Sequence, residues 1–369
     1  MNPQLKELHT MLSNHFSCQV LKSIVAQPLS NKGQYFTSCI HNVKIILEED
    51  QTESHVDFIV KVLPPGEHEI EYNSKLKFKK EIEFYNIALP QYHSIQERNK
   101  LPKLNIFPHF YFASEEFIVL EDLHSDGYIV QDSLLDKEQC KLVLQELAKF
   151  HATGIALKLS NQNIFEEKLA SVCVPALQND SNPDKDKINL QLRLDIRNKL
   201  SSNDDLRIFT EAVDTLLCEI DKKKLPTPVE PFSTLLHNDL WRGNIMFKNL
   251  SSDGVSVKFI DFQTVIMNSP ARDLVYFLFS SVESGVLSEF PDLIKCYHLS
   301  LVQYLSHLGV DVSEFSFDKL MFEVNRYGPS KLKHLLLLFK TLCSVKDGES
   351  TFEQYLYRTL FLFKDRCWL

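Results

Sequence analysis

The run His237-Asn238-Asp239-Leu240-Trp241-Arg242-Gly243-Asn244, followed by Phe259-Ile260-Asp261-Phe262, sets two carboxylates and a carboxamide within one short stretch of chain. Oxygen donors of this kind suit a hard cation such as magnesium. They are also what phosphoryl transfer requires of a protein: metal on the phosphate oxygens, and a group that orients the attacking hydroxyl and takes its proton. A lone H-x-D-x-x-x-x-N arises by accident, and an aspartate at a strand end is commonly a cap or turn residue. The spacing favours chemistry instead. Asn244–Lys248 and Val255–Ile260 read as the strands of a hairpin, with Asp253-Gly254 as its turn. Antiparallel pairing sets the start of the first strand beside the end of the second. Asn244 and Asp261 are therefore expected side by side, with Asp239 facing the same point from the loop before them.

These side chains need elements to hold them. The first 120 residues read as strands around one helix. Val43–Glu49 and Val56–Leu63 are apolar and β-branched, separated by the polar turn Asp50–Ser54. In the second run Val56, Phe58, Val60 and Val62 share one face, and Asp57, Ile59, Lys61 and Leu63 the other. An ammonium inside an apolar strand is costly without a partner. Glu81 lies on a helical pattern marked by Phe78, Ile82, Tyr85 and Leu89, which is expected to end at Pro90. It is a candidate ion-pair partner for Lys61, with Glu83 as its rival on another face; a snorkelling edge-strand lysine is the plain alternative. A lysine held by a helix glutamate is how kinases grip the α- and β-phosphates. A further strand pair is expected at His109–Ala113 and Phe117–Leu120. After Gly127 the pattern turns helical, at Leu134–Leu157, Leu190–Lys199, Leu206–Lys222 and from Ala271 to Leu369, with polar surface loops at Gln178–Lys187 and Lys222–Pro231.

Composition narrows the class. With 369 residues, 44% hydrophobic and 24% charged, the chain suits a globular protein of two lobes. Its net charge of −9 argues against nucleic-acid or anionic-membrane partners, which favour basic patches. The eight cysteines form no CxxC or zinc-like pair and read as reduced thiols. Lys6, Glu7, His9 and His15 break the N-terminal apolar residues, so no signal peptide is expected, and no apolar stretch approaches the roughly 20 residues of a membrane span. A cytoplasmic location without an obligate protein partner is the economical expectation.

The whole pattern resembles the ecdysteroid kinase-like (choline-kinase-homologous) family, relatives of choline and aminoglycoside kinases. The matching pieces, in order, are Lys32-Gly33, the strand around Lys61, Phe78-Lys79-Lys80-Glu81-Ile82-Glu83-Phe84-Tyr85, Val119-Leu120-Glu121-Asp122-Leu123 and Leu147-Ala148-Lys149-Phe150-His151-Ala152. The catalytic loop, Phe259–Gln263 and Ser269-Pro270-Ala271-Arg272-Asp273-Leu274 complete the set. The resemblance implies an α+β, bilobal protein-kinase-like fold: an antiparallel-sheet nucleotide-binding lobe plus one helix over residues 1–120, a hinge over 121–128, and a mostly helical catalytic and acceptor-binding lobe with a catalytic hairpin over 129–369. It also implies ATP and Mg2+ as cofactors. Asp239 would be the catalytic base, Asn244 and Asp261 the metal ligands, and Lys61 with Glu81 the phosphate-holding pair. Glu121–Leu123 would carry the backbone that pairs with adenine, Gly33 the loop Ser30–Ser38 over the phosphates, and His237 and Asp273 structural support for the catalytic loop. The chain departs from the protein-kinase pattern in having Gln263 where D-F-G has glycine and in lacking G-x-G-x-x-G. Asn238 and Arg242 receive no role.

Two spacings point to a small acceptor rather than a protein. Only eleven residues separate Asp261 from Asp273, too few for a peptide-cradling segment, whereas about 85 separate His151 from His237 and can wall an acceptor pocket. Phe165, Leu169, Val172, Val174 and Leu177 in that insert suit an ecdysteroid or other apolar alcohol, or simply a core. Choline or a sugar-type acceptor stays open, as does a catalytically weak kinase-fold protein that only binds ligand.

Overall fold

The computed structural model describes residues 3–16, 20–28, 39–49, 52–63, 74–160, 167–173, 183–222, 227–250, 254–345 and 348–369. From the N-terminus run helix α1 (Pro3–His15), strands β1 (Val20–Pro28), β2 (Cys39–Glu49) and β3 (Thr52–Val62), and helices α2 (Ser74–Glu83) and α3 (Leu89–Arg98) joined by a π-helical turn (Phe84–Ala88). Strands β4 (Phe110–Ala113), β5 (Phe117–Glu121) and β6 (Ile129–Val130) lead into helices α4 (Lys137–Ser160), α5 (Ala170–Cys173), α6 (Pro183–Ser202) and α7 (Thr210–Lys222). Strands β7 (Thr234–Leu236), β8 (Ile245–Leu250), β9 (Gly254–Phe259) and β10 (Ile266–Asn268) follow. The remainder is helical: α8 (Ala271–Ser281), α9 (Ser284–Leu287), α10 (Phe290–His307), α11 (Phe317–Tyr327), α12 (Leu332–Val345) and α13 (Gly348–Asp365). Two compact units result. One comprises Met1–Pro90, Asn105–Ile129 and Met246–Thr264; the other comprises Gln91–Leu104, Val130–Ile245 and Val265–Leu369.

The first unit is built on an antiparallel five-stranded sheet of order β1-β2-β3-β5-β4. Its apolar face follows from strand alternation: Val43, Ile45 and Leu47 of β2, Phe58 and Val60 of β3, and Phe117 and Val119 of β5 form one core. Helix α1 covers that face with Leu8 and Leu12, one turn apart. The register puts Lys61 between Ile40 of β2 and Ile118 of β5, so it sits within the sheet rather than on an edge. Strands β8 and β9 form the expected hairpin within a sheet of order β6-β8-β9. Gly254 takes φ +87° at the start of β9, which glycine adopts without steric penalty.

One boundary differs from the sequence expectation. The helix carrying Glu81 does not end at Pro90 but passes through it to Arg98. Proline stops a helix because it lacks an N–H and crowds the preceding turn. Here the π-helical turn widens the coil just ahead of it, with the Leu89 N–H on the Phe84 carbonyl, and Pro90 falls at the start of α3, where its missing donor does least harm. Similarly, Pro183 begins α6, so residues 183–187, expected as loop, are helical.

The second unit rests on α4, which packs along α10 and against β7. Strand β7 pairs antiparallel with β10, Leu236 opposite Ile266 and Thr234 opposite Asn268. This short ladder sets the start of the catalytic loop beside the start of α8, every residue of which is buried. Helix α8 packs on α11 and α12. No helix among the described residues is long and apolar enough to cross a membrane, and every described cysteine is a free thiol.

The contact of α4 with β7 is close enough to require glycine. A methyl on Gly154 would collide with Thr234 Oγ1 and lie 2.7 Å from the Tyr92 hydroxyl. Thr234 cannot turn away without breaking its 2.8 Å bond to the His151 carbonyl. Gly154→Ala is expected to destabilise the protein by about 1–3 kcal/mol, the usual range for overpacking, as read by denaturant unfolding.

Candidate active site

In the first unit the Lys61 ammonium is held by two carboxylates. Its Nζ donates to Glu81 Oε1 and Oε2 at 2.8 and 2.9 Å and to Asp261 Oδ1 at 2.7 Å. Lys61 and Glu81 are 6% and 2% exposed, so these are contacts in a dry setting. Burial works against the Lys61 charge, but Asp261 and Glu81 outweigh it and raise its pKa above the ordinary lysine value. Burial likewise pushes Glu81 up, opposed by Lys61 and by a hydrogen bond from the Phe262 backbone. Glu83, the rival partner, faces Lys79 at 3.9 Å instead.

The same stretch of helix also fixes Asp261. Phe84, in the π-helical turn just after α2, stacks on Phe262 with ring centroids 4.1 Å apart and planes 1° apart. Tyr85 and Phe107 close round the same ring. Phe262 is thus locked, and its neighbour Asp261 is held at φ +71°, a left-handed conformation that aspartate tolerates better than most residues. Asp261 Oδ2 accepts from Gln263 Nε2 at 2.9 Å, so the residue standing in place of a D-F-G glycine orients the carboxylate.

At the expected adenine-binding turn, the Glu121 N–H is engaged by the His109 carbonyl and the Leu123 carbonyl by the Tyr128 N–H, both at 2.9 Å. Asp122 anchors this turn, accepting from Asn42 Nδ2, the His124 N–H and Ser125 Oγ. Gly33 and the loop Ser30–Ser38 lie outside the described residues.

In the second unit Asp273 organises the catalytic loop. Its Oδ2 accepts from the His237 N–H and its Oδ1 from the Asn238 N–H, both at 2.8 Å. Oδ2 also meets His151 Nε2 at 3.2 Å, while His151 Nδ1 meets the Tyr297 hydroxyl at 2.8 Å. Burial would raise the Asp273 pKa, but the hydrogen bond and charge of His151, with His237 and Lys331 nearby, outweigh it and hold the group below the usual carboxylate value. The loop then turns sharply. Asn238 takes φ +64°, its side-chain oxygen accepting from Arg272 Nη2 at 3.1 Å, and the Asp239 N–H reaches back to His237 Nδ1.

Tyr276 of α8 lies near the Asp239 carboxylate, which adds to burial in raising the phenol's pKa. Asn244 Nδ2 donates to the Asp239 carbonyl at 2.9 Å and lies 3.5 Å from its Oδ2. With its amide nitrogen so engaged, Asn244 has the carboxamide oxygen left for a cation. Asp261 keeps spare lone pairs on both oxygens. Among the described residues no group of three His, Cys, Asp or Glu could hold a metal. The Asp261 carboxylate in the first unit and the Asn244 carboxamide in the second are each hard oxygen donors of the kind magnesium takes. The structure therefore gathers Lys61, Glu81 and Asp261 in one unit, and Asp239, Asn244, His237 and Asp273 in the other.

Sequence reasoning passed over several contributors. Asn238 and Arg242, given no role, are both placed: Arg242 bonds Ser281 Oγ through its N–H and the Tyr355 hydroxyl through Nη1. His151 and Arg272 stood in recognised stretches, but their partners lie far off in sequence. Tyr276 and Lys331 carried no spacing signal.

Two outcomes follow from this geometry. Glu81→Gln removes one of the two charges on Lys61 and is expected to lower turnover about tenfold to hundredfold, whereas Glu83→Gln leaves it near wild type; steady-state kinetics on the two variants checks this. Asp273→Asn leaves a buried donor poorly matched and is expected to lose about 1–3 kcal/mol at pH 7. A carboxylate with a lowered folded pKa contributes stability that is present above its unfolded value and lost as pH falls through the folded one. The gap between wild type and Asp273→Asn should therefore narrow below about pH 3.9, as followed by thermal unfolding across pH.

Among solved structures the chain is similar to an ethanolamine kinase of Plasmodium vivax, at 18% identity, 94% of this chain and 82% of that one covered, and a TM-score of 0.44. It is also similar to a choline kinase of Cryptosporidium parvum, at 13% identity, coverage of 98% and 96%, and a TM-score of 0.48. A third similarity is to an aminoglycoside phosphotransferase in complex with GDP, at 14% identity, coverage of 98% and 96%, and a TM-score of 0.42. A search among curated proteins finds no match. The profile described as the ecdysteroid kinase-like family matches residues 32–310, well over half of the sequence. The chain belongs to the ecdysteroid kinase-like family and is a small-molecule kinase.

Proposed function

We propose that this kinase transfers the γ-phosphoryl group of ATP, with magnesium, to a hydroxyl group of an ecdysteroid or another apolar alcohol. The observation that carries the reading is the buried Lys61 ammonium shared by Glu81 and Asp261. A structural lysine is neutralised by one carboxylate. A second carboxylate, kept in a left-handed backbone and oriented by its own glutamine, is arranged for a further charge to arrive. Phosphate oxygens would draw on the Lys61 ammonium, and a magnesium ion held by Asp261 and Asn244 would neutralise the charge developing between the β- and γ-phosphates.

Asp239 then takes the acceptor's proton. As the hydroxyl oxygen forms its bond to the γ-phosphorus, the bond from that phosphorus to the β-γ bridging oxygen breaks, ADP leaves, and the proton resides on the Asp239 carboxyl. The Asn244 amide holds the Asp239 carbonyl at 2.9 Å and lies 3.5 Å from its Oδ2, with Tyr276 close by, so these groups would restrain the base before substrate arrives.

The test is ADP release in a panel of steroid alcohols, sugars and amino alcohols, with mass spectrometry of the product. Asp239→Asn keeps shape but loses the proton-accepting charge. It is expected to lower kcat by about 10²–10⁴ while nucleotide affinity stays near wild type. An Asn variant that keeps more than about a tenth of wild-type turnover removes Asp239 as the base, and equal ATP affinity in magnesium and in EDTA removes the metal assignment.

A further inference from the structure

One residue of the catalytic loop is fastened to helices that lie far along the chain. Arg242 takes no part in the chemistry proposed above, yet its N–H donates to Ser281 Oγ at 2.8 Å and its Nη1 to the Tyr355 hydroxyl at 3.1 Å. Its carbonyl accepts from the Ile245 N–H, which closes the short helical turn Arg242–Asn244. A bond from the Asn244 N–H to the Trp241 carbonyl, at 2.8 Å, tightens that turn. Asn244 in turn reaches back to the Asp239 carbonyl. Arg242 is therefore where the segment from Asp239 to Asn244 is tied to the rest of the second unit.

Two helices supply the ties. Ser281 is the last residue of α8, and Asp273, the third residue of the same helix, binds the start of the loop. One helix thus grips the loop at both of its ends. Tyr355 belongs to α13, 113 residues beyond Arg242. Its ring stacks on Phe339 of α12, with centroids 4.5 Å and planes 10° apart, and this fixes where the hydroxyl stands. One turn further on, the buried Arg358 donates from Nη1 to the Val282 carbonyl at 2.7 Å and from Nη2 to the Phe279 carbonyl. Those carbonyls close the last turn of α8, where intrahelical partners run out and a cation meets the negative end of the helix dipole. Tyr355 and Arg358, three residues apart, share a face of α13. The same face therefore closes α8 and reaches the catalytic loop.

Magnitudes separate a positioning role from a purely structural one. Arg242 is half-buried, so water can replace the Tyr355 hydroxyl at its guanidinium, and the bond adds little to the stability of the fold. A catalytic loop is far more sensitive, since a misplacement of about 1 Å can lower a rate about a hundredfold. We propose that Tyr355 is a positioning residue for the reaction: through Arg242 it sets the turn Arg242–Asn244, and with it the placing of Asn244 and Asp239. The C-terminal helix is by this route part of the catalytic machinery. The proposal rests on Asp239 and Asn244 holding the roles given above.

The test compares Tyr355→Phe, Arg242→Met, Arg242→Lys and the Arg242→Met, Tyr355→Phe double variant in the full chain. Tyr357→Phe serves as control, because Tyr357 stands on another face of α13 and is 48% exposed. Each protein is followed by hydrogen exchange over residues 237–245 and by ADP release with the panel of steroid alcohols, sugars and amino alcohols. Tyr355→Phe is expected to speed exchange in the loop and to lower kcat about fivefold to fiftyfold, with both KM values within about twofold of wild type. Arg242→Met should match it and Arg242→Lys should recover part of the loss. The double variant should be no worse than Arg242→Met alone, as for two residues acting through one bond. Melting temperatures should stay within about 2 °C of wild type, and Tyr357→Phe should change nothing. Turnover unchanged in Tyr355→Phe, or losses that add in the double variant, overturn the positioning role and leave the kinase reading standing. Faster exchange that spreads through α8 and α13 with a lower melting temperature overturns it too, since Tyr355 is then a packing residue alone. Faster exchange confined to the loop, with no ADP release by wild type on any acceptor, keeps Tyr355 as the residue that sets the loop and overturns the kinase reading. Unchanged exchange without ADP release overturns both.

Discussion

A lysine ammonium within the central strands of an apolar sheet sets the terms for the first unit. Lys61 is flanked by Ile40 and Ile118 in the ladder and is nearly inaccessible to water. Charge cannot be left there uncompensated without several kcal/mol of penalty, so negative groups have to be brought to it. The α2 helix does this with Glu81, and the turn after β9 does it with Asp261. Both carriers are then tied to each other: the π-helical turn that follows α2 supplies Phe84, whose ring lies flat on Phe262 beside Asp261. Glu81 and Asp261 are in this way parts of one packed object, and movement of the helix would disturb both ends of the ion triad.

Asp273 plays the corresponding part in the second unit, with backbone N–H groups as its main partners. A loop that turns through a left-handed residue exposes successive N–H groups without strand or helix partners, and buried ones must be satisfied. Asp273, at the third position of α8, satisfies two of them and gains from the helix dipole. The β7–β10 ladder supplies the reach by setting α8 next to the loop. Asn238 and Asp261, the left-handed residues on which the two clusters turn, are both of the type whose short polar side chain eases that conformation.

Much of this was legible in the sequence, for identifiable reasons. Strand alternation and the glycine turn marked the β8–β9 hairpin, and an ammonium in an apolar run demanded a partner such as Glu81. What escaped did so because the deciding information was not local. Pro90 carries a stop signal, and only the π-helical turn before it, made by Phe84 to Ala88, cancels that signal. Helix α1 has a mixed, charged sequence whose Leu8 and Leu12 acquire meaning once a sheet is present to cover. Tyr276 and Lys331 lie on α8 and just before α12, far from Asp239 along the chain, and their approach is a product of helix packing that no spacing rule anticipates.

The two clusters treat buried charge differently. Around Lys61 the donors are matched: the ammonium has carboxylate oxygens within 2.9 Å, and Asp261 has its glutamine. Around Arg272 and Lys331 the donors are less completely matched among the described residues: Arg272 reaches Asn238 through Nη2, and Lys331 Nζ lies 4.9 Å over the Tyr276 ring. Replacing such cations with apolar side chains of similar volume would in general be neutral or stabilising. Their presence is thus not explained by the stability of the fold.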